Sequence, residues 1–338
     1  MFWERKFSME RPVFKPLGSS VYDLDTPSLF VIRDRVLANA ETYRNLVSKA
    51  GKRLTPNAST HRTPALSRLL NQNDIYVNTI SEAIAFSNVI SGQLTIGRPF
   101  NSSQLQSILA ISSVTPIRIV ASSEQQISEM AALIQGKAEN ISFVLRVSIT
   151  PEQRGTPIGQ INETEKLISG LWVSDIGIAD PKQQLTRICM ELSQHNIPLV
   201  IETCMFPDTY TLNLDVDEIV DGSHPFIGAS DYCVGVISSV VSAPEPGKAF
   251  LDCGQKAIST DGGVPTVVGN SSFTLEKMSA EHGFLLWESN ESSVSLGESI
   301  ILKPASISDT FNLYDYLNIV ESEVLVGLME IQCRGAYS

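Results

Sequence analysis

Strand-like and helix-like stretches alternate through the first two thirds of the chain, and this alternation limits the available folds more than any other feature. Short apolar, β-rich runs lie at 75–80, 94–97, 117–121, 143–149, 175–179, 198–203 and 218–220. Helix-like segments lie between them at 33–50, 64–70, 81–90, 102–111, 124–135 and 181–195. Several of these begin with start signals: Ser81-Glu82, Ser122-Ser123-Glu124, and Asp180 before Pro181 at a first-turn position. A strand that is followed each time by a helix returns parallel to its neighbour, so the repeat predicts a parallel sheet. About eight such units in roughly 200 residues fit a closed (β/α)8 TIM-type barrel better than an open, doubly wound sheet.

Beyond Asp231 the pattern changes. Strand-like runs at 236–241, 249–252, 264–268, 284–288, 300–303 and 317–320 are separated by Gly, Pro, Ser and Asn, and long helical patterns are missing. The expected organisation is an α/β barrel over 23–232 and an all-β domain over 233–338, joined by a strand from 1–22. With 338 residues and 43% apolar side chains, the chain has enough material for both cores.

Charge and cysteine usage narrow the function. Twenty-five basic against 37 acidic residues leave a net charge of −12, which argues against a nucleic-acid groove or an anionic membrane surface. The charged start has no apolar run, and no stretch of ~18 apolar residues occurs, so neither a secretory signal nor a membrane span is expected. Five scattered cysteines without a C-x-x-C pair read as free thiols in a reducing compartment, so the expected location is cytoplasmic.

Three segments carry candidate chemistry. Asn57-Ala58-Ser59-Thr60-His61-Arg62 follows an apolar residue and precedes a helix near Pro64, which puts it at the C-terminal end of a first barrel strand, the face that carries active sites in such barrels. His61 titrates near neutrality and suits general acid–base work; the same cluster also reads as a helix cap with a structural histidine. Cys204, Phe206, Asp208 and Tyr210 follow the strand at 198–203 and reach the same face. Bulky Phe206 and acidic Asp208 suit an apolar or cationic group rather than a phosphate. Cys204 is a nucleophile only if its pKa is lowered, and otherwise an inert buried thiol. Arg154, just after the strand at 143–149, either grips a carboxylate or is a solvated loop residue. Asp252 and Lys256 in the β domain are positioned to pair with each other.

Taken in order, several motifs resemble the D-serine dehydratase / D-threonine aldolase family of alanine-racemase-like, fold-type III enzymes. They are Leu24-Asp25-Thr26-Pro27, Thr55 to Arg62 (similar to R-P-H-x-K-T-H-K), Thr79 to Ala83 (T-x-x-E-A), Val240 to Gly247, Asp252 to Ala257, Glu281-His282-Gly283 and Asn312-Leu313-Tyr314-Asp315. The resemblance implies a pyridoxal-phosphate lysine, a metal pair and a phosphate loop. Here the lysine position holds Ser59, the first histidine is Asn57, and the metal pair aligns with Ser306 and Ser308, with Asp309 one place out of register. The expectation that follows is a divergent member that uses neither pyridoxal phosphate nor zinc. It would be a lyase or isomerase (elimination, retro-aldol cleavage, isomerisation or cyclisation) acting on a small organic substrate. The alternative is a catalytically silent ligand-binding or partner subunit. The expected catalytic set is His61, Ser59, Asp208 and Tyr210, with Asn57, Arg154, Cys204, Phe206 and Asp309 binding substrate. The resemblance also implies a homodimer, with no nucleic-acid or membrane partner.

Overall fold

The computed structural model describes residues 14–161, 167–175, 181–203, 209–228, 232–288 and 293–338. An N-terminal strand, β1 (Ser28–Ile32), leads into the long helix α1 (Arg33–Lys49). The parallel strands that follow are β2 (Arg53–Pro56), β3 (Ile75–Val77), β4 (Leu94–Ile96), β5 (Ile117–Ala121), β6 (Ile141–Ser148), β8 (Ile168–Ser174), β9 (Leu199–Glu202) and β10 (Glu218–Asp221). A two-residue strand, β7 (Thr156–Pro157), rides on the end of β6. Hydrogen bonding runs β2-β10-β9-β8-β6-β5-β4-β3, and a single parallel bridge from Asn57 to Tyr76 brings the two ends together. The result is a nearly closed eight-stranded barrel.

Outside it lie α2 (Pro64–Leu69), α3 (Ile80–Phe86), α4 (Leu105–Ser112), α5 (Glu124–Ile134), α6 (Pro181–Leu192) and α7 (Thr209–Asn213). Their starts follow from local chemistry: Pro64 sits in the first turn of α2, Ser123 caps α5, and Thr79 with Glu82 forms a reciprocal capping box on α3. Among the described residues, no helix is long and apolar enough to cross a membrane.

Strand alternation sorts the side chains. Outward-facing Ile117, Ile119, Leu145, Leu171, Val173 and Ile201 bury against Ile108, Ile127, Leu185 and Ile188 of the helices. Inward-facing residues stack in layers. At the bottom, Arg118 is bonded to Glu218 through both terminal nitrogens and to Thr95 through Nε at 3.0 Å; Thr55 donates to Glu218 at 2.6 Å, and Arg53 joins the same carboxylate. Above it, Tyr76, Val120, Val144, Trp172, Val200 and Val220 form one buried apolar layer. Two residues further along their strands, on the same face, come Arg146, Ser174 and Glu202. The apolar layer therefore floors a cavity whose walls turn polar at the C-terminal ends of the strands.

The strand expected at 175–179 lies one step earlier, as β8. Its buried centre, Leu171-Trp172-Val173, is the unbroken apolar run of a strand covered on both faces, and Ser169-Gly170 just before it separates it from Ile168 in sequence. Residues 176–180 lie outside the described residues.

The remaining strands form a mixed sheet: β11 (Val234–Glu245), β12 (Lys248–Leu251), β13 (Thr266–Val267), β14 (Thr274–Met278), β15 (Gly283–Leu286), β16 (Ser299–Lys303), β17 (Tyr316–Glu321) and β18 (Val324–Glu330). Their order is β14-β15-β12-β11-β1-β17-β18, with β16 on β11 and β13 on β16. The N-terminal strand of this sheet is β1, antiparallel to β11 and parallel to β17; among the described residues of 14–22, Ser20 adds a bridge, to Val324. Among the described residues, one short α-helix, α8 (Ile307–Phe311), interrupts the run of strands. The thiols of Cys189, Cys233, Cys253 and Cys333 are buried, and burial pushes those of Cys189 and Cys333 up to about 12. Asp252 accepts hydrogen bonds from Thr26 and Ser238, while Lys256 pairs with Glu281, so the expected Asp252–Lys256 pair does not form.

Candidate active site

A cavity of about 560 Å³ opens at the C-terminal ends of the barrel strands. Its inner wall is built on β3, β6, β8 and β9. Tyr76 stacks on Trp172 with ring centroids 5.1 Å apart, and the Trp172 indole donates to Glu202 Oε2 at 3.1 Å. The Arg146 guanidinium lies 3.5 Å from the same oxygen and 5.8 Å from the Trp172 ring. Burial raises the Tyr76 phenol above its ordinary pKa; Glu202 adds to this and Arg146 opposes it. The phenol therefore stays protonated at neutral pH. Gly97 makes room for it, because a Cβ there would run into the Tyr76 hydroxyl.

The turn after β2 forms a second wall. Asn57 Oδ1 accepts from Ser59 N at 3.1 Å and caps the single 3-10 turn over Ala58–Thr60. Ser59 Oγ donates to Glu82 Oε2 at 2.7 Å and accepts from Asn78 N at 2.7 Å. The same Glu82 oxygen accepts from the backbone of Asn78 and Thr79. Arg62, in the left-handed region at φ 55°, brings its Nε to 3.7 Å from Glu82 Oε1 and donates from Nη1 to Asn312 Oδ1 at 2.6 Å.

The C-terminal segment lies across the mouth. Tyr337 puts its ring 5.3 Å from the Arg62 guanidinium, its carbonyl accepts from Arg98 at 3.0 Å, and its hydroxyl accepts from Asn312 Nδ2 at 2.5 Å. Four arginines (Arg62, Arg98, Arg146 and Arg154) and two glutamates (Glu152 and Glu202) share this cavity.

Of the residues expected from sequence, Arg154 lines the cavity and Ser59 sits buried behind it, in the Glu82 network. The others fall elsewhere. His61 is 1% exposed and faces Phe86 and Phe226 rather than the cavity. Its Nδ1 accepts from Thr63 N, and burial lowers its pKa to about 4, partly offset by Gln72 and reinforced by His224. It is a core histidine rather than a general acid or base for this cavity. Asn57 is a turn cap. Tyr210 bonds Lys182 O and Thr186 on the outer helices, away from the cavity. Asp309 accepts from Ser306 at the start of α8. Cys204, Phe206 and Asp208 lie outside the described residues.

The residues that sequence reasoning missed are Tyr76, Arg146 and Glu202 on the floor, and Arg62, Arg98 and Tyr337 at the mouth. Arg146 and Glu202 did carry a signal: each follows an inward valine by two residues near the end of a barrel strand. Nothing in the sequence marked Tyr337.

Comparison with known proteins places this cavity in context. The serine dehydratase domain model matches residues 233–320. D-threonine aldolase from an Arthrobacter species is 23% identical over 94% of this chain and 95% of its own length. The structure of D-threonine aldolase from Filomicrobium marinum superposes with a TM-score of 0.83 at 18% identity, covering 96% of this chain and all of that one. A D-threo-3-hydroxyaspartate dehydratase variant in the metal-free form superposes at 0.74, with 17% identity and coverage of 92% and 98%.

These similarities overturn the expectation of a cofactor-free and metal-free protein. The relatives are an aldolase and a dehydratase, one solved form is set apart as metal-free, and a further neighbour, alanine racemase from Bartonella henselae, carries covalently bound pyridoxal phosphate (TM-score 0.63, 12% identity, coverage of 85% and 97%). As a covalent anchor, however, the Ser59 position does not fit that group: its hydroxyl is committed to Glu82, and among the described residues no lysine lines the cavity. Nor do three His, Cys, Asp or Glu side chains gather to hold a metal among the described residues. The fold, the ordered motifs and the end-to-end similarity agree: the chain is similar to the D-serine dehydratase / D-threonine aldolase family, whose domain model matches its C-terminal residues 233–320.

Proposed function

We propose that the protein is a lyase that breaks the Cα–Cβ bond or the Cβ–oxygen bond of a small β-hydroxy-α-amino acid in the barrel-mouth cavity. The observation that carries this reading is the Tyr76–Trp172–Glu202–Arg146 cluster. It places a protonated phenol, a carboxylate and a guanidinium at the inner end of one cavity, in a chain similar over nearly its whole length to an aldolase.

Each group has a role set by its chemistry. Arg146 and Arg62 supply fixed positive charge to orient a substrate carboxylate. Both are held before substrate arrives, Arg146 by Glu202 and Arg62 by Asn312. Glu202 is the acceptor for the β-hydroxyl proton whose removal starts retro-aldol cleavage, and Tyr76 is the donor that returns a proton to the product side. Trp172 keeps the Glu202 carboxylate turned toward the cavity through its indole N–H.

The test is an assay of β-hydroxy-α-amino acids, with and without added pyridoxal phosphate and manganese, for aldehyde, oxo acid or ammonia. Product is expected, with Tyr76→Phe and Glu202→Gln each lowering kcat by about 100-fold. Binding of these compounds without any product under either condition would refute the lyase reading.

A further inference from the structure

A second cavity, of about 210 Å³, lies outside the barrel and shares no lining residue with the mouth. Four segments build it. Helix α1 contributes Arg44, the turn before β2 contributes Lys52, the turn between α2 and β3 contributes Gln72 and Asp74, and the turn after β10 contributes His224. Leu54, which alternates outward on β2, supplies an apolar part of the wall.

The two most buried polar side chains of this lining are His224, 2% exposed, and Gln72, 6% exposed. The protein fixes one end of each. The buried Asp221 carboxylate accepts from Ser223 N at 3.0 Å, Ser223 Oγ at 2.7 Å and His224 N at 2.9 Å, and lies 3.1 Å from His224 Nδ1. A carboxylate only accepts, so the Nδ1 proton points at Asp221 and Nε2 is left for the cavity. His224 Nε2 has no protein partner among the described residues. Gln72 Oε1 accepts from Ser67 Oγ at 2.6 Å, which leaves its NH2 group to donate.

The charges in the lining do not cancel. Arg44 Nη2 meets the carbonyl of Leu70 at 2.9 Å, and Lys52 Nζ meets those of Leu214 and Val216 at 2.6 and 2.9 Å, so both cations face neutral oxygens. Asp74 is the opposing carboxylate of the lining. It accepts from Gln93 N at 2.6 Å and forms no ion pair with either cation among the described residues. Asp215, beside Lys52, is exposed and lines no part of the cavity. Two cations against one carboxylate, with polar groups at His224 and Gln72 turned inward, favour a negatively charged occupant.

We infer that this outer cavity binds a small oxyanion, held by Arg44 and Lys52 and met by His224 Nε2. The guanidinium offers paired N–H donors to two oxygens of one anion. The imidazole donates from Nε2 when the ring holds both protons, with the anion on one side and Asp221 on the other. The site stands whatever reaction the barrel mouth carries out, because neither cavity lends a residue to the other.

The test is an NMR titration of the full chain at neutral pH with sulfate and, separately, acetate. Neither anion titrates there, so the histidine ring signals report binding directly. The His224 signal is identified by its loss in His224→Asn or, by elimination, from variants of His61, His195 and His282. A saturable shift of that signal is expected with at least one anion. Arg44→Gln and Lys52→Gln should each weaken the binding about tenfold at nearly unchanged melting temperature, and Arg44→Lys should retain part of it. Arg98→Gln, at the barrel mouth, should leave the shift intact. Tighter binding of sulfate assigns the site to a phosphate or sulfate group, and tighter binding of acetate assigns it to a carboxylate. A His224 signal unmoved by both anions overturns the inference. So does a shift that persists in both glutamine variants, or one that vanishes in Arg98→Gln, since the anion would then sit elsewhere.

Discussion

Glu82 shows how much one buried residue can organise. Its side chain is fully buried, and one oxygen collects hydrogen bonds from Ser59, Asn78 and Thr79. Glu82→Ala would leave the buried Thr79 N–H and the Ser59 hydroxyl unpaired, so stability should fall by about 2–4 kcal/mol in urea unfolding. His61 makes the complementary case through pH. Its pKa is about 4 in the folded chain, against an ordinary value of 6.5, so the unfolded chain takes up the proton first as pH drops. Its neutral burial thus favours folding fully above pH 6.5, and that advantage erodes as pH falls toward 4. The loss should reach about 3 kcal/mol, and His61→Gln should flatten that part of the pH–stability curve. A deeper acid limb unchanged in His61→Gln would show that other groups control it. His61 looked catalytic in sequence because its segment does follow a barrel strand. The direction of a side chain in a tight turn, however, depends on local dihedrals, here a 3-10 turn followed by a left-handed Arg62, and residue order does not encode these visibly.

At the level of elements, the barrel strands were legible wherever their apolar period was clean, as at β3, β4, β5 and β9, and the late shift to strands without long helices was equally plain. What stayed hidden was pairing at a distance. β1 joins β11 and β17, more than 200 residues away, and nothing local announces those partners. The buried ion pair at the barrel bottom is of the same kind. Arg118 on β5 meets Glu218 on β10, with Arg53 and Thr55 of β2, and so ties together three strands. Burial alone would push the Glu218 carboxyl up, yet Arg118, then Arg53 and Thr55, outweigh it and hold it below its ordinary value. Arg118→Met removes the buried guanidinium from that carboxylate, leaving only Arg53 and Thr55 on it, and should cost about 3–5 kcal/mol. The double change Arg118→Met with Glu218→Met should recover most of this, since an apolar pair needs no compensating charge. Failure of the second substitution to restore the melting temperature would mean that the pair sets strand register rather than merely satisfying itself.

For the whole molecule, the question is how a β sheet remote in sequence governs a cavity in the barrel. The physical link is Asn312, just after α8. Its Oδ1 accepts from Arg62 of the barrel and from the Gly335 backbone, and its Nδ2 donates to the Tyr337 hydroxyl. One amide thus fixes a cavity arginine and the C-terminal segment together. Thr79 and Arg98 hold the same segment from the barrel side, through the carbonyls of Ala336 and Tyr337. Asn312→Ala removes all three amide bonds but touches none of Tyr76, Arg146 or Glu202. If the sheet acts by holding the mouth in shape, the variant should raise KM about five- to tenfold, change kcat by less than about threefold, and expose the segment around Tyr337 to proteolysis. Asn312→Asp keeps both acceptor bonds, adds a charge beside Arg62 and accepts in turn from the Tyr337 hydroxyl, so it should recover most of the affinity. A fall in kcat with KM unchanged would place the effect at the reacting groups instead. The barrel would then be the complete catalytic unit, and the C-terminal segment a structural lid with no hand in substrate binding.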